Sequence, residues 1–222
     1  MALPNKGYKS TTIVLLILLI GISILSMIFG AVDISIHEIS SSFTKYFSGR
    51  QDMELNERIF LQIRLHRVIL CLFVGTTLAV GGVLMQALFR NPIVEPGLVG
   101  TSSGAAVDAA LYFVLGATLK FNTGEWTLPL VACAGGMLAT TLVFVLSRSK
   151  QTGKSSIVSL LLTGIAINAL FLSGIGFLSY IARDPQARSI TFWNLGTLSG
   201  ANWNSVIIVG LFTIICISIA MR

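Results

Sequence analysis

Long uncharged stretches alternate with short polar ones along the chain. Six of them, residues 11–30, 68–89, 98–119, 126–147, 156–181 and 203–221, are long enough to cross a bilayer as helices. A hydrocarbon core of about 30 Å takes roughly 20 helical residues at 1.5 Å each. Charges punctuate the runs: Arg67 and Arg90 bracket the second, Glu125 and Arg148 the fourth, and Asp108 is the single charge inside the third. In lipid every backbone polar group must be satisfied within the chain, and runs of this length suit helices better than barrel strands. The expected class is therefore all-α, a polytopic transmembrane bundle of about six helices, with residues 1–222 as a single membrane domain. The one long connection, 33–67, holds most of the acidic residues, and helical spacing over 36–47 predicts a short interfacial helix within it. The first run follows Lys6 and Lys9 as a signal peptide would, yet it exceeds the roughly 7–15 apolar residues of such a leader and reads as a retained span.

Composition agrees with a chain whose solvent is lipid. Hydrophobic residues make up 54% and charged residues 11%, against roughly 25% charged in soluble domains, and the mean hydropathy is +0.85. The net charge of +6 does not imply nucleic acid, because Lys and Arg stand singly between apolar runs and form no basic stripe. With the N-terminus inside, seven basic residues fall inside and eight outside, so charge bias leaves the orientation open. Cys71, Cys133 and Cys216 lie in apolar runs without CxxC spacing and read as small hydrophobes. No cofactor or metal is implied.

Small residues crowd the spans: Gly75, Gly81 and Gly82 in the second, Gly97, Gly100 and Gly104 at the third, Gly135 and Gly136 in the fourth, Gly164 in the fifth. They let helix backbones approach closely, as a compact bundle requires and a lone anchor does not. Two motifs are decoys. Gly153-Lys154-Ser155 resembles the tail of a P-loop, but position 148 is Arg where the phosphate cradle needs Gly, so any ATP hydrolysis belongs to another chain. Residues 100–104 fit GxSxG, yet they open a membrane helix, and the two histidines, His37 and His66, lie in or beside the long connection. An intramembrane Ser-His enzyme thus lacks its base. Asp108 reads either as a shielded residue or as a polar path, at roughly 2.5–3.5 kcal/mol for a central carboxylate. Gln86 and Asn168 read either as interhelical hydrogen-bond partners or as pore-lining groups.

The densest constellation begins at Arg64-Leu65-His66-Arg67, runs through 74–82 to Gln86, and continues Arg90-Asn91-Pro92-Ile93-Val94-Glu95-Pro96-Gly97-Leu98-Val99-Gly100. Arginines at i and i+3 ahead of an apolar helix would present two guanidiniums on one side, able to clamp carboxylates. The Asn-Pro-x-x-x-Pro-Gly turn reverses the chain with little freedom, since Pro fixes φ and Gly permits the tight return. These residues resemble the signature of the FecCD family, permeases of type II ABC importers for haem, siderophores and vitamin B12. The family reads roughly RLPR, VGAALAVSGAxxQ, RNPLAxPxxLG and then a GAA run. Residues 160–166 and 188–196, followed by Trp203, also agree.

The resemblance implies a permease subunit in a bacterial inner membrane, N-terminus cytoplasmic, importing an iron chelate such as haem or a siderophore, or a corrinoid. Its implied partners are a periplasmic substrate-binding protein, a separate ATP-binding subunit and a second permease copy. Arg64 and Arg67 match the arginines that dock the binding protein. Asn91, Pro92 and Ile93, with Ser155 and Ser156 across the path, match cytoplasmic constrictions, and Gln86 and Asn168 match path-lining positions. Gly81, Gly82, Gly97, Gly100 and Gly104 fall at packing positions. Residues 97–106 and 188–193 look most like haem permeases. His66 stands where the family has Pro, and Asp108 where it has a small apolar residue. The family has about ten helices, so this sequence is expected to be an N-terminal portion; the alternatives are a non-transporting membrane scaffold and an intramembrane enzyme.

Overall fold

The computed structural model describes residues 6–48, 52–119, 124, 126–148 and 156–221. Their regular structure is helical: α1 (Lys6–Ile28), α2 (Ile36–Phe47), α3 (Leu55–Ile59), a π-helical turn (Phe60–Arg64), α4 (Leu65–Phe89), a 3-10 turn (Pro96–Val99), α5 (Thr101–Leu119), α6 (Thr127–Leu146), α7 (Ile157–Ile181), α8 (Asp184–Leu195) and α9 (Trp203–Ala220). Among the described residues five helical stretches are long and apolar enough to cross a membrane: Lys9–Ile28, Leu55–Phe89, Thr127–Leu146, Ile157–Ile181 and Trp203–Ala220. The third expected span forms as α5, with a polar first turn and Asp108, and is not among the five.

Two boundaries differ from the sequence pattern. The second span does not start at Arg67 but continues back to Leu55 through the π-helical turn. Arginine is a good helix former, so a charge marks the edge of the hydrocarbon without ending the helix. At 35 residues this stretch is ~52 Å long, more than a bilayer core needs, so part of it stands beyond the hydrocarbon. The connection after the fifth span contains α8. Pro185 stands in its first turn, where a missing N–H costs nothing, and Ile190 is buried with Ala110 and Leu178.

The contacts divide into two compact units, Met1–Thr77 with Leu198–Arg222, and Leu78–Thr197. In the first, α2 starts at a capping box. Glu38 N–H donates to Ser35 Oγ (3.2 Å) and Ser35 N–H to Glu38 Oε2 (2.6 Å). Asn56 Nδ2 donates to the other Glu38 oxygen at 2.7 Å, tying α2 to α3. Glu57, only 2% exposed, is compensated by Lys45 Nζ (2.8 Å), by the Ser41 hydroxyl and by Glu54 N–H (2.8 Å). Beneath lie Ile34, Phe60, Leu61 and Leu65. α9 meets the first half of α4 through Gly210 against the Phe73 ring, a Thr77–Thr213 hydroxyl bond (2.9 Å), and His66 edge-on to Trp203. The span of α1 buries none of its residues, as expected of a helix solvated by lipid.

In the second unit the closest approaches are backbone to backbone. A β-carbon at Gly164 of α7 would collide with the Leu98 carbonyl, one at Gly104 of α5 with Ala139 and the Gly135 carbonyl, and one at Gly136 would lie 3.0 Å from the Thr101 carbonyl. Around these contacts Phe89, Val94, Val99, Val143, Leu160 and Ile167 form the core. Gly82, by contrast, has open space, and Gly81 and Gly97 have ordinary clearance. Gly164→Ala should therefore lower stability by about 1–3 kcal/mol, the usual cost of overpacking. Gly82→Ala should be neutral or stabilise by up to about 1 kcal/mol, because Ala is the better helix former. Thermal unfolding in detergent, followed by circular dichroism, compares the two; equal losses would contradict the packing described.

Candidate functional site

Two sets of polar side chains, one in each unit, stand where the sequence places functional residues. The first is the arginine pair. α1 ends at Ile28, which leaves the carbonyls of its last turn without helical partners. Arg64 supplies them: Nη1 donates to Met27 O (3.0 Å) and Ile28 O (2.6 Å), and Nη2 to Val32 O. Gly30 lies directly beneath the guanidinium, where a β-carbon would stand 2.7 Å from Nη2 and make it shift. Arg67 is exposed and makes one long bond, Nη2 to Ser199 O at 3.4 Å. The two guanidiniums thus border one region but bond to different backbone segments, one held and one nearly free.

The second set is the turn after α4. Arg90 has φ 49, a left-handed conformation that glycine usually supplies. Its N–H donates to Ala87 O (3.4 Å) and Asn91 N–H to Gln86 O (3.2 Å), the paired bonds of a Schellman cap. Asn91 Oδ1 accepts from Ile93 N–H (3.0 Å), and Val94 enters the core, so Pro92 and Ile93 form the exposed tip, Ile93 at 83% exposure. The chain returns through the 3-10 turn to Gly100, whose φ of 84 is easy only without a side chain. Asn168 of α7 braces this return. Its Nδ2 donates to Gly97 O (3.0 Å) and its Oδ1 accepts from the Ser103 hydroxyl.

The remaining positions are quickly placed. Gln86 is exposed on the last turns of α4. Ser156 is the N-cap of α7, accepting from Ser159 N–H at 3.0 Å, while Ser159 Oγ donates to Ser147 O (2.9 Å) and links α6 to α7. Ser155 lies outside the described residues. Asp108 packs at Gly135 on the α5–α6 contact. Neither Ser103 nor Arg90 carries a sequence signal for its role: Ser103 lies inside the GxSxG decoy, and no Gly marks the cap at Arg90. Among the described residues no three His, Cys, Asp or Glu side chains are grouped to hold a metal. The arrangement offers backbone-braced turns and an exposed cation, Arg67, able to meet an anionic group.

The sequence profile of the FecCD transport family matches residues 15–222. The chain belongs to the FecCD transport family. Among its relatives, the hemin transport system permease protein HmuU of Yersinia pestis is 38% identical over 194 residues, 87% of this chain and 55% of that protein. A probable iron chelatin transport system permease protein of Helicobacter pylori is 30% identical over 190 residues, 84% of this chain and 55% of that one. A solved metal-chelate type ABC transporter in an inward-facing conformation superimposes with a TM-score of 0.76 at 27% identity, covering 96% of this chain and 61% of the other. The fold is that of a helical transmembrane permease, and the chain spans about half the length of the curated FecCD relatives it matches.

Two predictions follow from the hydrogen bonds. Asn168→Leu, similar in volume, strands the Gly97 carbonyl and the Ser103 hydroxyl and should cost about 1–3 kcal/mol, read as a lowered midpoint of thermal unfolding. The Asn56 amide, then the Ser35 backbone and side chain, hold the Glu38 carboxyl below its ordinary 4.5. A lowered folded value favours the folded state above pH 4.5, and this contribution fades as pH falls through that lowered value. Hydrogen exchange of α2, corrected for intrinsic rates, should show acid loosening in the natural protein that Glu38→Gln largely removes.

Proposed function

We propose that this chain forms the N-terminal part of, or is itself, the membrane-spanning permease subunit of an ABC importer that moves an iron chelate, haem or a siderophore, across the bacterial inner membrane. The family match across residues 15–222 is the observation that carries this reading. Energy comes from ATP hydrolysis on separate ATP-binding subunits, and cargo is delivered by a periplasmic substrate-binding protein to a permease homodimer. The N-terminus is cytoplasmic, which turns Arg64 and Arg67 to the periplasm and the Asn91–Pro92–Ile93 tip, with Ser155 and Ser156, to the cytoplasm. Haem is the favoured cargo, because a hemin permease shares 38% of aligned residues with the chain. Binding of ATP and cargo shifts the helices between outward- and inward-facing states through their differential affinity for the two.

Arg67 is the docking cation on this reading, since its guanidinium is exposed with one long bond while that of Arg64 is engaged. Expression of the full-length permease that carries this sequence, with the cognate ATPase and binding protein, in cells lacking their own chelate permeases, should give ATP-dependent haem uptake. Arg67→Ala should weaken docking about 5- to 30-fold and flatten its dependence on ionic strength, as loss of a steering charge does. Absence of uptake for haem, siderophore and corrinoid alike would refute the assignment.

A further inference from the structure

The end of α1 and the approach to α4 enclose a cleft of about 420 Å³ whose chemistry is divided. Arg64 and Arg67 form one part of its lining; Phe29, Val32, Ile63 and Val68 supply apolar walls. Arg64 commits two Nη1 hydrogens and one Nη2 hydrogen to carbonyls, leaving its Nε–H and one Nη2–H. Arg67 has little beyond its 3.4 Å bond to Ser199. Among the described residues the ion pair present is Lys45–Glu57, and no described carboxylate lies within ion-pair distance of either arginine. Phe29, 65% exposed, stands just past the last turn of a helix whose span is wholly uncovered. That places the cleft where acyl chains meet headgroups.

We propose that this cleft is a binding site for an anionic phospholipid, its phosphate on the free donors of Arg64 and Arg67 and an acyl chain along Phe29, Val32, Ile63 and Val68. The cations select an anion, and the apolar walls select an amphiphile over a soluble phosphate. Which leaflet supplies the lipid rests on the orientation proposed above, in which it is the periplasmic one; the site itself does not. A lipid held here bridges the end of the first span to the approach of the second, beside the Arg64 bonds that already join them.

Native mass spectrometry of the detergent-purified protein, without its partner subunits, tests the site with phosphatidylglycerol, phosphatidylethanolamine and soluble glycerol 3-phosphate. Phosphatidylglycerol should be retained over phosphatidylethanolamine, and glycerol 3-phosphate should compete poorly. Arg67→Gln should lower phosphatidylglycerol retention about fivefold, the effect of one cation at a lipid surface. Ile63→Ser, at a half-exposed wall position, should weaken retention while leaving the preference for the anionic lipid. Equal retention of both lipids, or retention unchanged in Arg67→Gln, overturns the proposal. So does competition by glycerol 3-phosphate as strong as by the lipid, which would mark a bare anion site. Because no transport is measured, failure of the importer reading leaves this test standing.

Discussion

A helix that ends near lipid leaves up to four carbonyls in its last turn without helical partners, and hydrocarbon offers none. The helix ends among the described residues are shaped by that constraint and by its counterpart, the free N–H groups of a first turn. α1 stops at Ile28, and a guanidinium 36 residues further along reaches back to its last turn. α4 stops at Phe89, and its carbonyls are taken by the backbone of the following two residues, which obliges Arg90 to adopt a glycine-like conformation at a cost of about 1–2 kcal/mol. α7 and α9 open on Ser156 and Asn202, whose side chains accept the N–H groups of Ser159 and Ser205. The non-helical return before α5 is braced by an amide side chain of α7 at the Gly97 carbonyl. Polar residues in these segments therefore serve backbone accounting first, and any role toward cargo or partners must use what is left over.

The same constraint explains the use of small residues in the second unit. Once polar groups are satisfied locally, helices in lipid gain from packing alone, and packing improves as backbones come closer. α5 meets α6 at Gly104, Gly135 and Gly136, and α7 meets the return at Gly164. Gly104, Gly135 and Gly164 exclude even a methyl group and Gly136 leaves it tight, whereas Gly82 and Gly176 admit one freely. Asp108 lies on the same contact, its side chain over Gly135. Glycine at that point removes bulk that would otherwise compete with the carboxylate for the space between α5 and α6.

Much of the fold was legible because its signals are local. The 36–47 helix forms with the expected bounds, since Ser35 and Glu38 make a capping box readable from spacing. The fifth run forms from Ile157 to Ile181 behind its Ser156 cap. What stayed hidden depends on distant partners. α8 is weakly amphipathic and owes its place to Ile190 reaching Ala110 and Leu178. Arg67 looked like the start of a helix because its charge ends an apolar run, but arginine does not terminate helices, and Phe60, Leu61 and Leu65 carry the helix back along a core with Ile34. Asn168 allowed two readings, bond partner or path lining, and its two hydrogen bonds account for its polar atoms without excluding a surface on the path.

Arg64 and Arg67 show where local reading stops. Three residues apart, they are chemically identical and equally placed to meet a carboxylate on any helical wheel. They differ only in what the rest of the chain brings near them. The end of α1 lies within reach of Arg64, which bonds the Met27 and Ile28 carbonyls and that of Val32 just beyond, whereas Arg67 makes one long bond, to Ser199 O. A guanidinium with three N–H groups on backbone carbonyls gives up all three bonds when it swings away, at about 0.5–1.5 kcal/mol for each. One nearly free of bonds can turn at little cost. The pair therefore differs in what it can do: Arg64 ties the end of α1 to the approach of α4, while Arg67 keeps its donors available, a difference the arginine motif itself does not carry.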